Sequence, residues 1–202
     1  MKKEKERQKN DMAKYKIIAL IGEAGSGKDR IMSEVLAARP TLFNEIISCT
    51  TRPMREGEIE GINYYYLTEE EFAEKLLEGQ MLEATNFNGW YYGTSYEALR
   101  SDVLNIGVFN PAGIYALLER EDIELTVFRV CCSSKTRLLR QLNRESNPNV
   151  EEIVRRFMAD AEDFSDLEFE YIKIYNEELK SLPQIIEQIL FSVEGIGGQG
   201  QK

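Results

Sequence analysis

Gly22-Glu23-Ala24-Gly25-Ser26-Gly27-Lys28-Asp29 follows directly on the apolar run Tyr15-Lys16-Ile17-Ile18-Ala19-Leu20-Ile21. A strand delivered into a glycine loop is the way a phosphate cradle is built. Gly22, Gly27 and Lys28 complete the P-loop spacing G-x-x-x-x-G-K, but the next position, where a Ser or Thr hydroxyl ordinarily meets magnesium, holds Asp29. Glycine is needed because backbone N–H groups must curl around phosphate oxygens without Cβ interference, while the helix that follows aims its positive end at the same anion. A glycine-rich turn capping an ordinary βα unit is the plainer reading of these letters. The strand before the loop and the amphipathic run Ile31, Val35 and Leu36 after it favour a nucleotide-phosphate site over all of Gly22, Glu23, Ala24, Gly25, Ser26, Gly27, Lys28 and Asp29.

A chain of 202 residues can hold one domain with a substantial core, or one core with inserted lobes. With 43% hydrophobic and 30% charged residues, wholesale disorder is excluded, and no apolar stretch approaches the length that spans a bilayer. The segment 1–14 is charged but lacks the apolar core of a secretory signal, so it reads as a tail or frayed helix. Cys49, Cys131 and Cys132 form no metal spacing, and their odd number suits buried thiols in a reducing compartment, the cytoplasm. A net charge of −10 and the absence of histidine rule out acid–base chemistry by imidazole and argue against a nucleic acid partner. An acidic protein that binds polyanionic nucleotides must concentrate its positive charge locally. The arginines do cluster, Arg52 and Arg55 in one segment, then Arg137, Arg140, Arg144, Arg155 and Arg156 in another.

Strand-like runs at 15–21, 45–49, 105–109, 124–130 and 171–175 alternate with helical patterns at 28–38, 111–120, 134–145, 150–163 and 179–191. That alternation predicts an α/β fold, a parallel sheet flanked by helices on both faces. Residues 48–95 have a different texture, rich in Tyr, Gly, Thr and Glu, with short strand-like pieces at 63–67, 81–87 and 90–92. They read as an inserted mixed lobe. Thr68 and Glu71 form a capping-box pair that starts a helix over 69–77, and Asn88-Gly89 marks a hairpin. The glycine- and glutamine-rich end, 192–202, reads as a disordered tail.

The lobe begins with Ser48-Cys49-Thr50-Thr51-Arg52-Pro53-Met54-Arg55-Glu56-Gly57-Glu58-Ile59-Glu60-Gly61-Ile62-Asn63-Tyr64. Taken with the P-loop, the Met81-Leu82-Glu83 strand, the Asn88-Gly89-Trp90-Tyr91-Tyr92-Gly93-Thr94 hairpin and the arginine-bearing region, this block resembles the guanylate kinases from about Lys16 to Leu190. The resemblance implies a P-loop nucleoside monophosphate kinase fold with a core at 15–47 and 96–191, a GMP-binding lobe at 48–95 and a helical lid at 136–157. It implies transfer of the γ-phosphoryl group of ATP to GMP or dGMP with Mg²⁺, or, as the alternative, a related module that binds nucleotide or protein without turnover.

Carried over residue by residue, the resemblance implies that Arg52 and Arg55 grip the GMP phosphate, as planar bidentate donors can. Ser48, Tyr64 and Tyr92 would add hydroxyl donors to it. Glu83 would accept the N1–H and N2–H of guanine, a donor pair that adenine lacks, and Thr94 would donate to O6. Arg137, Arg140 and Arg144 recur at helical spacing and predict one polyphosphate-facing surface, with Leu138, Leu139 and Leu142 turned to the core. A solvated face paired with Glu151, Glu152 and Glu162 is the alternative. By resemblance, Lys28, Arg52, Arg140 and Arg156 serve the transferring phosphoryl, Arg144 contacts ATP and Asn176 lies near the adenine. The family's D-x-D strand end is replaced here by Val108-Phe109-Asn110. Asn110 keeps an amide oxygen that could accept from guanine, while the metal contact is expected to have moved from Val108's position to Asp29.

Overall fold

The structure, a computed structural model, describes residues 14–55, 57–87, 89–144, 146–177 and 182–197. The chain divides into two compact units, Met1–Ala19 with Thr41–Thr126, and Leu20–Pro40 with Val127–Lys202. Residues 48–95 fall within the first of these units.

One sheet has the strand order β2-β7-β1-β8-β9, formed by β1 (Tyr15–Ile21), β2 (Phe43–Glu45), β7 (Leu104–Val108), β8 (Ile123–Cys131) and β9 (Ile172–Tyr175). β2 runs parallel to β7, and β8 to β9. Five consecutive β1 residues from Ile17 are at most 2% exposed, as expected of a strand covered on both faces. A second, mixed sheet of order β4-β3-β6-β5 comprises β3 (Cys49–Thr50), β4 (Tyr65–Tyr66), β5 (Met81–Phe87) and β6 (Trp90–Ser95). β5 and β6 are antiparallel, with Phe87 paired to Trp90 and Gly89 at a φ of 79°, as a two-residue hairpin requires. Asn88, the other residue of that turn signal, lies outside the described residues.

The helices are α1 (Lys28–Ala38), α2 (Glu69–Leu77), α3 (Pro111–Leu118), α4 (Ser134–Leu142), α5 (Val150–Asp163) and α6 (Leu182–Gly197). Thr68 and Glu71 close the expected capping box on α2, with both reciprocal hydrogen bonds present. The lobe has a small core of Cys49, Phe72 and Met81, and Gly93 makes it possible: a Cβ there would lie 2.6 Å from the Glu83 carbonyl and 3.1 Å from the Phe72 ring. In the other unit α1 packs on α6 through Ile31, Val35, Ile185, Ile189 and Val193, all fully buried.

Three expectations are corrected. The strand expected at 45–49 is two strands in different sheets: Ile46 N–H still donates to Ile106, after which Cys49 pairs with Gly93 and Tyr65. The helix expected to end at 191 runs to Gly197, because Val193 is a core residue, so only 198–202 of the expected tail are left, and these lie outside the described residues with 1–13. The helix expected at 134–145 stops at Leu142. The first residues of the helix expected from 179 and the Glu56 and Glu145 positions also lie outside the described residues. Cys49, Cys131 and Cys132 are free thiols in or beside strands, as expected. Among the described residues no helix is long and apolar enough to cross a membrane.

Candidate active site

The glycine loop leaves β1 at Ile21 and turns into α1 at Gly27, the N-cap, which sits in the left-handed region at φ 89°. Gly25 also has a positive φ of 80°, and a Cβ on it would lie 2.6 Å from the carbonyl oxygen of Arg137, so only glycine satisfies both the turn and the close approach. The loop carbonyls are bound from outside. Arg137 Nε and Gln141 Nε2 donate to Ala24 O at 3.1 and 3.3 Å. Arg140 Nη1 donates to Gly25 O and Ser26 O, and Asn176 Nδ2 donates to Ser26 O at 2.7 Å. Arg140 Nη2 in turn donates to the Asn176 carbonyl. Among the described residues, the N–H groups of Gly25, Gly27 and Lys28 meet no acceptor. Such N–H groups at the start of a helix are what a phosphate requires.

A network of charge lies behind the loop. Glu23 forms ion pairs with Arg129 and Arg137 at 3.4 and 3.7 Å. Asp160, on α5, accepts from Ala24 N–H at 2.6 Å and from Arg137 Nη2 at 3.0 Å. Burial holds the Asp160 carboxyl above its ordinary range despite these partners. Arg137 is only 5% exposed, with its guanidinium 4.6 Å from the centre of the Phe157 ring. The expected single arginine surface is corrected here: Arg137 and Arg140 turn inward to the loop, Arg144 is exposed, and Leu139 is 46% exposed rather than part of the core. Arg155 and Arg156 both bond Glu152, holding its carboxyl down at about 2, so the alternative of a charge-paired face is realised at this pair.

Lys28 and Asp29 open α1. Lys28 is half-buried, and neither it nor the exposed Asp29 carboxylate has a hydrogen bond or ion pair among the described residues. The described residues hold no group of three His, Cys, Asp or Glu side chains fit to cage a metal. Mg²⁺ bound with a nucleotide needs less, one or two carboxylates with phosphate oxygens and water. An unpaired carboxylate one residue after the P-loop lysine fits that requirement, whereas Val108 offers no ligand. The buried Ser26 hydroxyl has no partner among the described residues, and a Cβ at Gly22 would lie 2.9 Å from it, so the loop is closely packed here.

In the other unit, Arg52 is 5% exposed, and its Nη2 donates to Glu58 Oε1 at 2.8 Å. The guanidinium lies 5.5 Å from the Tyr64 ring centre and 5.8 Å from that of Tyr66, and Tyr64 meets Tyr92 edge-on. Glu58 also accepts from Arg55 N–H and the Tyr66 hydroxyl, and these donors hold its carboxyl at about 2 although burial alone would raise it. The Arg55 guanidinium is exposed and has no partner among the described residues. Ser48 is half-buried, and its carbonyl receives Tyr65 N–H.

Glu83 projects from β5 beside a register shift between Met81 and Glu83 and is 9% exposed. Burial raises its carboxyl to about 7, and the Thr94 hydroxyl, donating to Oε1 at 2.8 Å, opposes this only in part. A Cβ on Gly113 would lie 3.2 Å from Glu83 Oε2, so the first turn of α3 stands against the carboxylate. Asn110 has a further role. It is the N-cap of α3, its amide oxygen accepts from Gly113 N–H at 2.7 Å, and its Nδ2 donates to Thr85. One lone pair of its oxygen is therefore held by the helix, which Asn-Pro ahead of a helical pattern could have signalled, and the other is left to accept a second donor. Asp160 was missed as a loop partner, and no local spacing announces a contact between positions 136 residues apart.

Comparison with known proteins bears on both halves. The family model for guanylate kinase matches residues 14–193. The guanylate kinase of Trichormus variabilis is 30% identical over 187 residues, 91% of this chain and 93% of that protein. The guanylate kinase of Mycoplasmoides gallisepticum is 29% identical over 179 residues, 86% of this chain and 91% of that protein. Among solved structures, guanylate kinase from Anaplasma phagocytophilum superposes with a TM-score of 0.67 at 21% identity, covering 93% of this chain and 89% of that one. With its match running through the glycine loop, the lobe and the arginine helices alike, the chain belongs to the guanylate kinase family.

Proposed function

We propose that this protein is an ATP-dependent nucleoside monophosphate kinase that transfers the γ-phosphoryl group of ATP to GMP or dGMP, giving ADP and GDP or dGDP. The observation that carries the acceptor assignment is Glu83, a buried carboxylate whose hydrogen-bond donors are fewer than its lone pairs. Guanine supplies the missing donors through N1–H and N2–H, whereas adenine would present an acceptor nitrogen to the same oxygen. Thr94 fixes the direction of Glu83, and Asn110 backs the pocket by holding the first turn of α3. Arg52 and Arg55 grip the acceptor phosphate, with Ser48, Tyr64 and Tyr92 setting its orientation. Glu58 pre-aims the Arg52 fork.

The loop Gly22–Asp29 holds the triphosphate of ATP through its backbone N–H groups and Lys28. Arg144 and Arg156 complete the positive surround, and Arg140 and Asn176 act through the loop carbonyls they bind. Phosphoryl transfer asks little covalent chemistry of a protein, so positioning and charge neutralisation carry the rate. We assign Mg²⁺ to Asp29. Bound there with the nucleotide, the ion supplies neutralisation of phosphate charge. The free thiols and acidic composition support a cytoplasmic setting without a nucleic acid or membrane partner. Calorimetry with GMP and with AMP tests the acceptor assignment: GMP is expected to bind and AMP not, and equal affinities would refute it.

A further inference from the structure

We propose that Arg137 and Asp160 are positioning residues for the nucleotide phosphates, and that together they aim the Gly25 N–H into the phosphate cradle. The inference rests on the reading of Gly22–Asp29 as the site of the ATP phosphates.

In a planar trans peptide the C=O and the following N–H point in opposite directions. Whatever holds the carbonyl of Ala24 therefore also orients the N–H of Gly25. Arg137 Nε holds that carbonyl at 3.1 Å, and Gln141 Nε2 adds a second donor at 3.3 Å. The same logic applies one turn later, where Arg140 and Asn176 hold the Ser26 carbonyl and so orient the Gly27 N–H. The intervening peptide differs, since Ser26 N–H donates to Glu23 O within the loop. The loop thus presents the Gly25 and Gly27 N–H groups, each set by a side chain behind it.

Asp160 makes the Gly25 orientation rigid. Its Oδ2 accepts both Arg137 Nη2 at 3.0 Å and Ala24 N–H at 2.6 Å. Arg137 and Asp160 therefore clamp the Ala24 residue at both of its backbone polar groups, N–H and C=O. Glycine at position 25 has no side chain to restrict its rotation, so the orientation must come from this external clamp. The guanidinium is 5% exposed and its donors face Ala24, Asp160 and Glu23, so Arg137 serves the nucleotide through the loop.

Arg137→Met keeps an unbranched apolar stem in place of the arginine's own and removes its donors. Asp160→Asn keeps the size of the side chain and an acceptor for Ala24 N–H, but removes the charge that holds Arg137. Each variant is titrated with Mg-ATP and separately with GMP by calorimetry, alongside the KM values for both substrates. ATP affinity is expected to fall at least tenfold in Arg137→Met and several-fold in Asp160→Asn, with GMP affinity within twofold of the natural protein. The double variant is expected to bind ATP no more weakly than Arg137→Met alone, since two members of one clamp cannot be lost twice. Unchanged ATP affinity in either folded variant, additive losses in the double variant, or parallel loss of ATP and GMP binding would overturn the proposal. If Arg137→Met does not fold, the near-isosteric Asp160→Asn decides it by the same ATP-against-GMP comparison. Because ATP binding is read directly, a failure of GMP as acceptor would leave this test standing.

Discussion

GMP binding should be coupled to the loss of a proton from Glu83. The carboxyl is 9% exposed and burial raises it to about 7, while the proposed pairing with guanine N1–H and N2–H requires the ionised form. Only the ionised fraction of the free protein is competent, and the apparent dissociation constant scales with its reciprocal. With a carboxyl titrating at about 7, that fraction is about nine-tenths at pH ~8 and about one-tenth at pH ~6. Apparent GMP affinity should therefore fall about tenfold across that interval, and calorimetry in buffers of different ionisation heat should detect proton release at pH ~6. The phosphate of GMP itself titrates near pH ~6, so Glu83→Gln serves as the control. It should bind GMP more weakly at every pH, because an amide offers one acceptor and an unwanted donor, and should keep only the phosphate's share of the pH dependence. A natural protein whose GMP affinity tracks that of Glu83→Gln in pH dependence would refute the reasoning.

Glu83 also bears on stability. Its folded value is raised above the unfolded one, so the folded state holds more protons and stability should fall as pH rises from 4.5 to about 7. The shift corresponds to about 3 kcal/mol, and urea unfolding near pH 5 and pH 8 should show Glu83→Gln losing most of that slope. Arg55→Ala and Arg52→Ala should each weaken GMP binding about 10- to 100-fold, the range for a charge-assisted hydrogen bond, and leave ATP binding unchanged. Only Arg52→Ala should also lower the thermal midpoint, since it strips Glu58 of its buried partner. Loss of ATP affinity in either would contradict the acceptor assignment. Asp29→Ala should improve metal-free ATP binding, because an uncompensated carboxylate about 4 Å from a phosphate charge costs roughly 4 kcal/mol at an effective dielectric of 20, and should abolish the gain on adding Mg²⁺. Equal affinities with and without Mg²⁺ in both proteins would contradict the metal assignment.

Local signals were legible in the sequence where their cause is local. α1, α2 and α5 begin and end where the caps and periodicity place them, because a capping box or a glycine N-cap is complete within a few residues. The glycine loop and the Glu83 strand were legible for the same reason. The direction of the arginine helix was not. Periodicity separates the Arg137–Arg140 face from the leucine face, but only the exposed loop carbonyls and Asp160, distant in sequence, make the arginine face the buried one. A buried arginine with a carbonyl and a carboxylate to receive its donors is stable where an unpaired one would not be. The N-cap role of Asn110 is local: Asn-Pro ahead of a helical pattern sets its amide oxygen on the first turn of α3. The division of 45–49 between two sheets depends instead on Gly93 and Tyr65, neither of which is near in sequence.

The central claim is phosphoryl transfer from ATP to a guanine nucleotide, and steady-state turnover with Mg-ATP and, in turn, GMP, dGMP, AMP, CMP and UMP tests it most directly. Turnover of GMP or dGMP is expected with kcat/KM at least a thousandfold above AMP, as a buried carboxylate matched to two base donors allows. No turnover of either guanine nucleotide, or equal turnover of AMP and GMP, would contradict it.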